Sequence, residues 1–277
     1  MTQPRIPLAG VIGSPIAHSR SPLLHGHWLR TYGIRGHYIP MDVHENDLER
    51  VLRTLPAMGF VGVNVTVPHK EKVMAFADQI TDRAILIGAA NTLIFRNAGS
   101  ILADNTDGYG FIENLRSGAP DWRPEAGPAL VLGAGGAARA VISSLVDAGV
   151  PEVILSNRTR LRAERLKADF GHRIRVIDWV QAGSAVKDAA LVVNTTSLGM
   201  SGQPPLSVQF DGLHPGIVVT DLVYTPLETG LLAAGRKAGC TTVDGLGMLL
   251  FQAVPGFERW FGTRPEIDEA TRAAALK

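Results

Sequence analysis

The chain has 277 residues, 45% of them hydrophobic, with 30 glycines and few aromatics; this exceeds the usual single core and makes two domains, with a cleft, the natural expectation. Lysine and arginine number 27 against 26 aspartate and glutamate, so no long-range positive field exists to hold a polyanion, which argues against nucleic acid or an anionic membrane as partner. Cys240 is the single cysteine; it reads as a small buried hydrophobe, no intramolecular disulfide can form, and nothing favours an oxidising compartment.

Met1-Thr2-Gln3-Pro4-Arg5 leads straight into an apolar strand at 8–12 without the long apolar segment of a signal peptide, and no stretch reaches the ~20 apolar residues of a membrane span. A cytoplasmic protein is expected. Up to about residue 107, short apolar runs at 8–12, 37–41 and 60–65 read as strands and amphipathic stretches at 22–31 and 46–55 as helices, the alternation of a mostly parallel sheet. Asn97-Ala98-Gly99-Ser100 between strand-like 92–95 and 101–103 reads as a hairpin, so the sheet is expected to be mixed. A helix at 109–117 gives way to the Pro- and Gly-rich segment 118–128, after which a new βαβ series begins. Its strands are 129–132, 152–156, 174–177, 191–194 and 217–220, with helices at 137–148 and 160–170, the doubly wound pattern. A last helix spans 246–261; Pro255 should kink or interrupt it, since an interior proline loses a hydrogen bond and clashes with the preceding turn.

Gly133-Ala134-Gly135-Gly136-Ala137-Ala138 fits G-x-G-x-x-A between a strand and a helix. The first glycine permits the tight turn, the second admits a pyrophosphate, and the helix N-terminus offers N–H groups to the anion. Where NAD-binding folds place an acidic residue for the ribose hydroxyls, this chain has Ser156-Asn157-Arg158-Thr159-Arg160-Leu161-Arg162. Arg158 suits a 2′-phosphate, Arg162 lies one turn further on, and Asn157 and Thr159 can add hydrogen bonds. NADP is the expected cofactor, whereas Arg160 and Arg165 read as solvated helix charge.

Ser14-Pro15-Ile16-Ala17-His18-Ser19-Arg20-Ser21-Pro22 is a hydroxyl-rich loop after the first strand, where α/β sheets bind ligands and where serines suit a carboxylate. Ser21 before Pro22 also reads as a helix N-cap. Polar groups end further strands at Asn64-Val65-Thr66-Val67-Pro68-His69-Lys70, at Ala90-Asn91-Thr92 and at Asp104-Asn105-Thr106-Asp107-Gly108. Taken singly, Lys70 reads as a solvated lysine, Asn91 as a turn residue and Asp107 as an N-cap; it is their convergence that suggests a site.

These motifs, with Asp244-Gly245-Leu246-Gly247-Met248-Leu249, resemble the NADP-dependent shikimate dehydrogenase family over nearly the whole chain. The resemblance implies reversible reduction of 3-dehydroshikimate to shikimate in aromatic amino-acid biosynthesis. It implies that Ser19 and Ser21 bind the substrate carboxylate, that Thr66, Lys70, Asn91, Asp107 and Gln252 hold the ring hydroxyls, and that Lys70 and Asp107 are the catalytic pair. It further implies that the final helix returns to the first domain with Gln252, that Gly245 and the backbone around Leu222 approach the nicotinamide, and that Tyr224 lies near the substrate. The implied domains are 1–107 for substrate, 108–244 for NADP in a Rossmann-type fold, and 245–277 as C-terminal helices packing on the substrate domain. The family suggests a monomer or a homodimer. Leu198 and Leu222 occupy variable family positions, and Pro255 lies close to Gln252.

A ketone reduction requires a proton donor beside the hydride acceptor, a role suited to Lys70 held by Asp107, the proton belonging to the pair. The rivals are a quinate or mixed quinate/shikimate dehydrogenase, a non-catalytic NADP-sensing protein, for which the pair would be superfluous, and a zinc site from His18, His25 and His27, which lacks a completing ligand cluster.

Overall fold

The computed structural model describes residues 6–96 and 99–277. The chain forms two compact units, one running to Thr106 and resuming over Leu250–Lys277, the other Asp107–Leu249. Met1–Arg5 and the expected hairpin tip at Asn97-Ala98 lie outside the described residues.

The first unit opens β1 (Leu8–Gly13), α1 (Ser21–Thr31), β2 (His37–Asp42), α2 (Leu48–Thr54), β3 (Phe60–Val65), β4 (Gln79–Ile80), α3 (Asp82–Ile87), β5 (Thr92–Phe95) and β6 (Ile101–Asp104). Its sheet has the order β2-β1-β3-β5-β6-β4. β1 pairs in parallel with β2 and β3, and β5 runs antiparallel to both β3 and β6, giving the expected mixed sheet. The expected helix at 46–55 is split into a 3-10 turn, Glu45–Asp47, and α2. β4 and α3 escaped the sequence reading because two strand residues and six helical ones are too short to show a period.

The second unit comprises α4 (Asp107–Gly118), β7 (Ala129–Leu132), α5 (Gly136–Ala148), β8 (Val153–Ser156), α6 (Arg160–Phe170), β9 (Ile174–Ile177), α7 (Ala182–Ala185), β10 (Leu191–Asn194), β11 (Val218–Asp221), α8 (Gly230–Lys237) and β12 (Thr241–Val243). All its strand pairs are parallel, in the order β12-β11-β10-β7-β8-β9. This is the Rossmann order, two βαβαβ halves meeting between β7 and β10. The strands read as unbroken apolar runs because both faces are covered. Ala129, Val131, Val153, Leu155, Leu191 and Val193 join the core that includes Val141 and Leu145 of α5, while Leu130, Leu132, Ile154, Val192 and Val219 join Val186 and Leu231 on the other face. Truncating fully buried Leu130 or Leu132 to alanine should cost about 2–5 kcal/mol.

The chain leaves the second unit within α9 (Leu246–Phe261) and ends in α10 (Glu269–Leu276), so most of α9 and all of α10 belong to the first unit. Of the kink or interruption expected at Pro255, the interruption does not occur: α9 is continuous through it. Phe257 and Trp260, buried just beyond, hold the helix by packing, with Phe257 edge-on to Trp28 and the Trp260 indole N–H donating to the Leu93 carbonyl at 3.2 Å. Tertiary contacts of this size outweigh one missing backbone donor. Among the described residues no helix is long and apolar enough to cross a membrane.

Candidate active site

In the first unit the strand order reverses beside β1, with β2 on one side and β3 on the other, and such a reversal opens a crevice at the carboxyl ends of the strands. Because β5 is antiparallel, its amino end shares that edge with the carboxyl ends of β1, β3 and β6, as the pairings Ile12 with Val65, Asn64 with Thr92 and Thr92 with Asp104 require. One edge therefore gathers the 14–21 loop, the 66–70 segment, Asn91 and Thr106. Backbone bonds tie these loops together: Thr66 N to Ile12 O at 2.9 Å, Ser14 N to Val67 O at 3.1 Å, and Ala90 N to Lys70 O at 2.8 Å. His69 beside Lys70 is fully buried with Nε2 at 2.7 Å from the Val43 carbonyl, which anchors the segment that carries half-buried Lys70.

Asn91 is 2% exposed and far more than a turn residue. Its Oδ1 accepts from Thr92 Oγ1 at 2.9 Å, Thr106 N at 2.9 Å and Thr106 Oγ1 at 3.1 Å, and its Nδ2 donates to Gln252 Oε1 at 3.1 Å. The single Thr106 hydroxyl hydrogen is shared between Asn91 Oδ1 and the Gln252 carbonyl, the nearer acceptor at 2.8 Å. Gln252 thus joins the edge despite the neighbouring proline.

Ser21 is the first helical residue of α1, not its N-cap; Arg20 holds the cap position without a side-chain bond. Helix geometry begins one residue early, and the Ser21 hydroxyl lies beside the Tyr38 phenol, whose pKa it pulls down slightly against burial. Tyr38 donates to Asn64 Oδ1 at 2.7 Å, and Asn64 Nδ2 donates to the Asn91 carbonyl and Thr92 Oγ1, each at 3.2 Å. Burial pushes the Tyr38 phenol well above its ordinary range, so it stays a neutral donor. Ser19 sits beside this network, its Oγ accepting from Ser21 N at 3.3 Å.

Asp104, at the end of β6, receives Arg83 Nε at 2.6 Å, Thr81 Oγ1 at 2.8 Å and Asn105 N at 2.8 Å, with a second Arg83 contact to its other oxygen. Burial opposes ionisation of this carboxyl, but the guanidinium and the other donors outweigh it and hold the pKa below the usual range. The clamp fixes the strand end from which Thr106 leads to Asp107. Asp107 is itself the first residue of α4, one position inside the expected cap.

In the second unit the glycine turn joins β7 to α5 as its spacing predicts. Gly133 has φ +110°, and a Cβ there would lie 2.5 Å from Thr195 Oγ1, so only glycine fits. Above Gly135 and Gly136 there is open space, both are exposed, and α5 has no acidic residue in its first turn and no side-chain cap. Such a cradle fits a pyrophosphate. Ala134 N donates to Asn157 Oδ1 at 3.1 Å while Asn157 Nδ2 donates to the Thr159 carbonyl at 2.8 Å; Asn157 braces the turn. Arg160 pairs with Glu164 and Asp178, whereas exposed Arg158 and Arg162 have no carboxylate partner among the described residues, and positive charge without protein partners suits a 2′-phosphate.

Gly245 lies against the end of β11: a Cβ on it would meet the Leu222 carbonyl oxygen at 2.5 Å. Asn114 Nδ2 holds the preceding carbonyl, Asp244 O, at 2.7 Å. Leu222, Gly245 and, two residues on from Leu222, half-buried Tyr224 therefore occupy one region of the second unit. Of the zinc candidates, His25 is fully buried with its ring stacked on Tyr38 at 3.9 Å, and no group of three or more His, Cys, Asp or Glu able to hold a metal occurs among the described residues.

Family models match three stretches: a shikimate dehydrogenase substrate binding domain over residues 11–93, shikimate / quinate 5-dehydrogenase over 124–200, and a shikimate 5'-dehydrogenase C-terminal domain over 245–275. A protein of Cereibacter sphaeroides named shikimate dehydrogenase (NADP(+)) is 69% identical over 98% of each chain, and one of the same name from Ruegeria is 66% identical over 100% of each. The chain belongs to the shikimate dehydrogenase family. Solved structures similar to this shikimate dehydrogenase family member include quinate dehydrogenase from Corynebacterium glutamicum in complex with NAD, with TM-score 0.91 and 30% identity over 98% of this chain and 99% of that one. Shikimate 5-dehydrogenase from Thermus thermophilus in complex with NADP(H) and shikimate has TM-score 0.86 and 36% identity over 98% and 99%. Sequence reasoning missed Tyr38, Arg83 and Asp104 as supports of the edge; Asn64, a polar residue in an apolar strand, was the available signal, whereas nothing local distinguishes Tyr38.

Proposed function

We propose that the chain catalyses the reversible NADP-dependent reduction of 3-dehydroshikimate to shikimate, with Lys70 and Asp107 as its acid–base pair. The observation that carries this reading is the gathering of Ser19, Ser21, Thr66, Lys70, Asn91 and Gln252 at one sheet edge, in a chain whose relatives at 66–69% identity bear the shikimate dehydrogenase (NADP(+)) name. The unit that runs to Thr106 and resumes over Leu250–Lys277 serves as the substrate domain, and Asp107–Leu249 as the NADP domain, each boundary lying within a few residues of the expected 107/108 and 244/245.

In this reading Ser19 and Ser21 hold the carboxylate, with the Tyr38 phenol beside Ser21. Thr66, Asn91 and Gln252 hold the ring hydroxyls, with the Asn91 and Gln252 amides setting each other's orientation. Tyr224 flanks the substrate. Gly133, Ala134, Gly135, Gly136 and Ala137 cradle the pyrophosphate, Asn157 and Thr159 shape its approach, Arg158 and Arg162 take the 2′-phosphate, and Leu222 and Gly245 line the nicotinamide. Bound NADPH supplies the hydride. Lys70, with Asp107, delivers a proton to the carbonyl oxygen as its charge develops and recovers it in the reverse direction, so that no free alkoxide forms. The exposed arginine pair favours NADP over NAD, and Arg158 together with the paired Ser19 and Ser21 favours shikimate over quinate activity.

A cytoplasmic monomer or homodimer is part of the same reading, and sedimentation would settle the assembly. The decisive assay supplies shikimate and quinate, each with NADP+ and NAD+, and follows reduced nicotinamide by absorbance. Shikimate with NADP+ should turn over fastest; faster turnover of quinate with NAD+ would overturn the reading.

A further inference from the structure

β10 and β11 belong to the half of the Rossmann sheet opposite the glycine turn, the half that faces the nicotinamide in dinucleotide folds. Leu-Val-Val-Asn of β10 and Val-Val-Thr-Asp of β11 each end in a buried polar residue. Asn194 and Asp221 are register partners, 0% and 1% exposed. A carboxyl group this deep is costly unless its oxygens are met by donors, and here every donor comes from a different chain segment. Asp221 Oδ1 accepts from Asn194 Nδ2 and from Val223 N, both at 2.9 Å, and Oδ2 accepts from Thr229 Oγ1 at 2.7 Å. Thr229 in turn caps α8 through Leu232 N at 3.4 Å.

Asn194 passes the constraint on. Its Nδ2 also donates to the Leu198 carbonyl at 3.1 Å, and its Oδ1 accepts from Thr196 N at 3.0 Å and Thr196 Oγ1 at 2.7 Å. One carboxyl group thereby ties the turn at 195–198, the backbone at 222–223 and the start of α8. Gly245, pressed against the Asp221 and Leu222 carbonyls, rests on the same support. A cavity of about 410 Å³, lined by Leu198, Gly199, Asp221, Thr229 and Leu231 among others, lies beside the carboxyl.

We propose that Asp221 is a positioning residue for the nicotinamide half of the cofactor site, acting through Asn194, Thr229 and the Leu222–Val223 backbone. The proposal rests on the NADP reading above. It separates the two ends of the cofactor: Gly133 touches Thr195 in the turn this hub ties, but the 2′-phosphate end depends on Arg158 and Arg162, after β8, which take no part in the hub's hydrogen bonds and should not sense it.

The test compares binding of NADP+ with binding of 2′,5′-ADP, which lacks the nicotinamide, by calorimetry on the full chain. Asp221→Ala should weaken NADP+ by about tenfold or more, the scale of a lost hydrogen-bonding hub, and leave 2′,5′-ADP within about twofold. Asp221→Asn, which keeps an acceptor toward Asn194 and Val223, should recover most of the loss. Should Asp221→Ala not fold, Thr229→Val removes one donor and must show the same split. Parallel weakening of both ligands would reduce Asp221 to a structural role, and unchanged NADP+ binding would equally overturn the proposal. Failure of the unaltered protein to bind NADP+ would instead strike the cofactor reading itself.

Discussion

The side-chain amide of Asn91 donates to Oε1 of Gln252 at 3.1 Å, joining positions 161 residues apart. Each amide fixes the other's orientation, so two groups read as ring-hydroxyl ligands behave as one unit. Asn91 has the larger share of the network, through Thr92 and Thr106. Asn91→Ala should therefore lower both kcat/KM and thermal stability, by about 1–3 kcal/mol each from stranded buried partners. Gln252→Ala should chiefly raise the shikimate KM. Steady-state kinetics and melting curves on both variants check this; equal stability losses would contradict it.

Lys70→Ala should reduce kcat by about 10²- to 10⁴-fold, the usual worth of a positioned acid–base group, with a much smaller change in shikimate KM. Asp107→Asn should act in the same direction. Near-normal kcat in Lys70→Ala would refute the assignment, and a rise in KM alone would leave Lys70 as a binding group.

Arg158 carries no carboxylate partner among the described residues, in contrast to Arg160. Its removal costs the protein no ion pair, so Arg158→Ala should leave the melting temperature unchanged. NADP+ binding should weaken by about 1.5–3 kcal/mol, the worth of a charge-assisted bond, while NAD+ binding barely changes. Titration with both cofactors decides the matter; equal losses would be incompatible with a 2′-phosphate contact.

His25 is fully buried against Tyr38, Trp28 and Phe257, and neither ring nitrogen has a hydrogen-bond partner. Burial lowers its pKa from 6.5 to about 3. The unfolded chain then binds a proton that the folded chain refuses at any pH between these values. Stability is accordingly lost as pH falls from about 6.5 toward 3, with a slope approaching about 1.4 kcal/mol per unit from this group. His25→Phe, which forfeits no hydrogen bond, should flatten the fall in urea midpoint over that window. An unchanged acid slope would show that carboxylates alone govern it.

The strands of the second unit were legible because burial on both faces leaves continuous apolar runs, and the glycine turn because a strand-to-helix reversal around an anion admits few residue types. Singly, Asn91 reads as a turn residue and Asp107 as a cap, and only the convergence of polar groups at the strand ends marked a site. β4 and β12, two and three residues long, carried no period to read, and α9 runs on through Pro255 because Phe257 and Trp260 supply from tertiary packing what the missing N–H withholds.

By itself the sequence determined the α/β class, the glycine turn, the arginines beside it and the residue types available to a substrate carboxylate and ring. Only the tertiary structure decided which of those groups meet: that β5 reverses and brings Asn91 to the edge of β3, that the Asn91 and Gln252 amides bond to each other, that Ser21 begins α1 instead of capping it, and that Asp104 and Asp221 are hubs. Periodicity and propensity are local, whereas these partners lie tens to hundreds of residues apart and are selected by burial, which forces every enclosed donor and acceptor to find a mate wherever the fold has placed one.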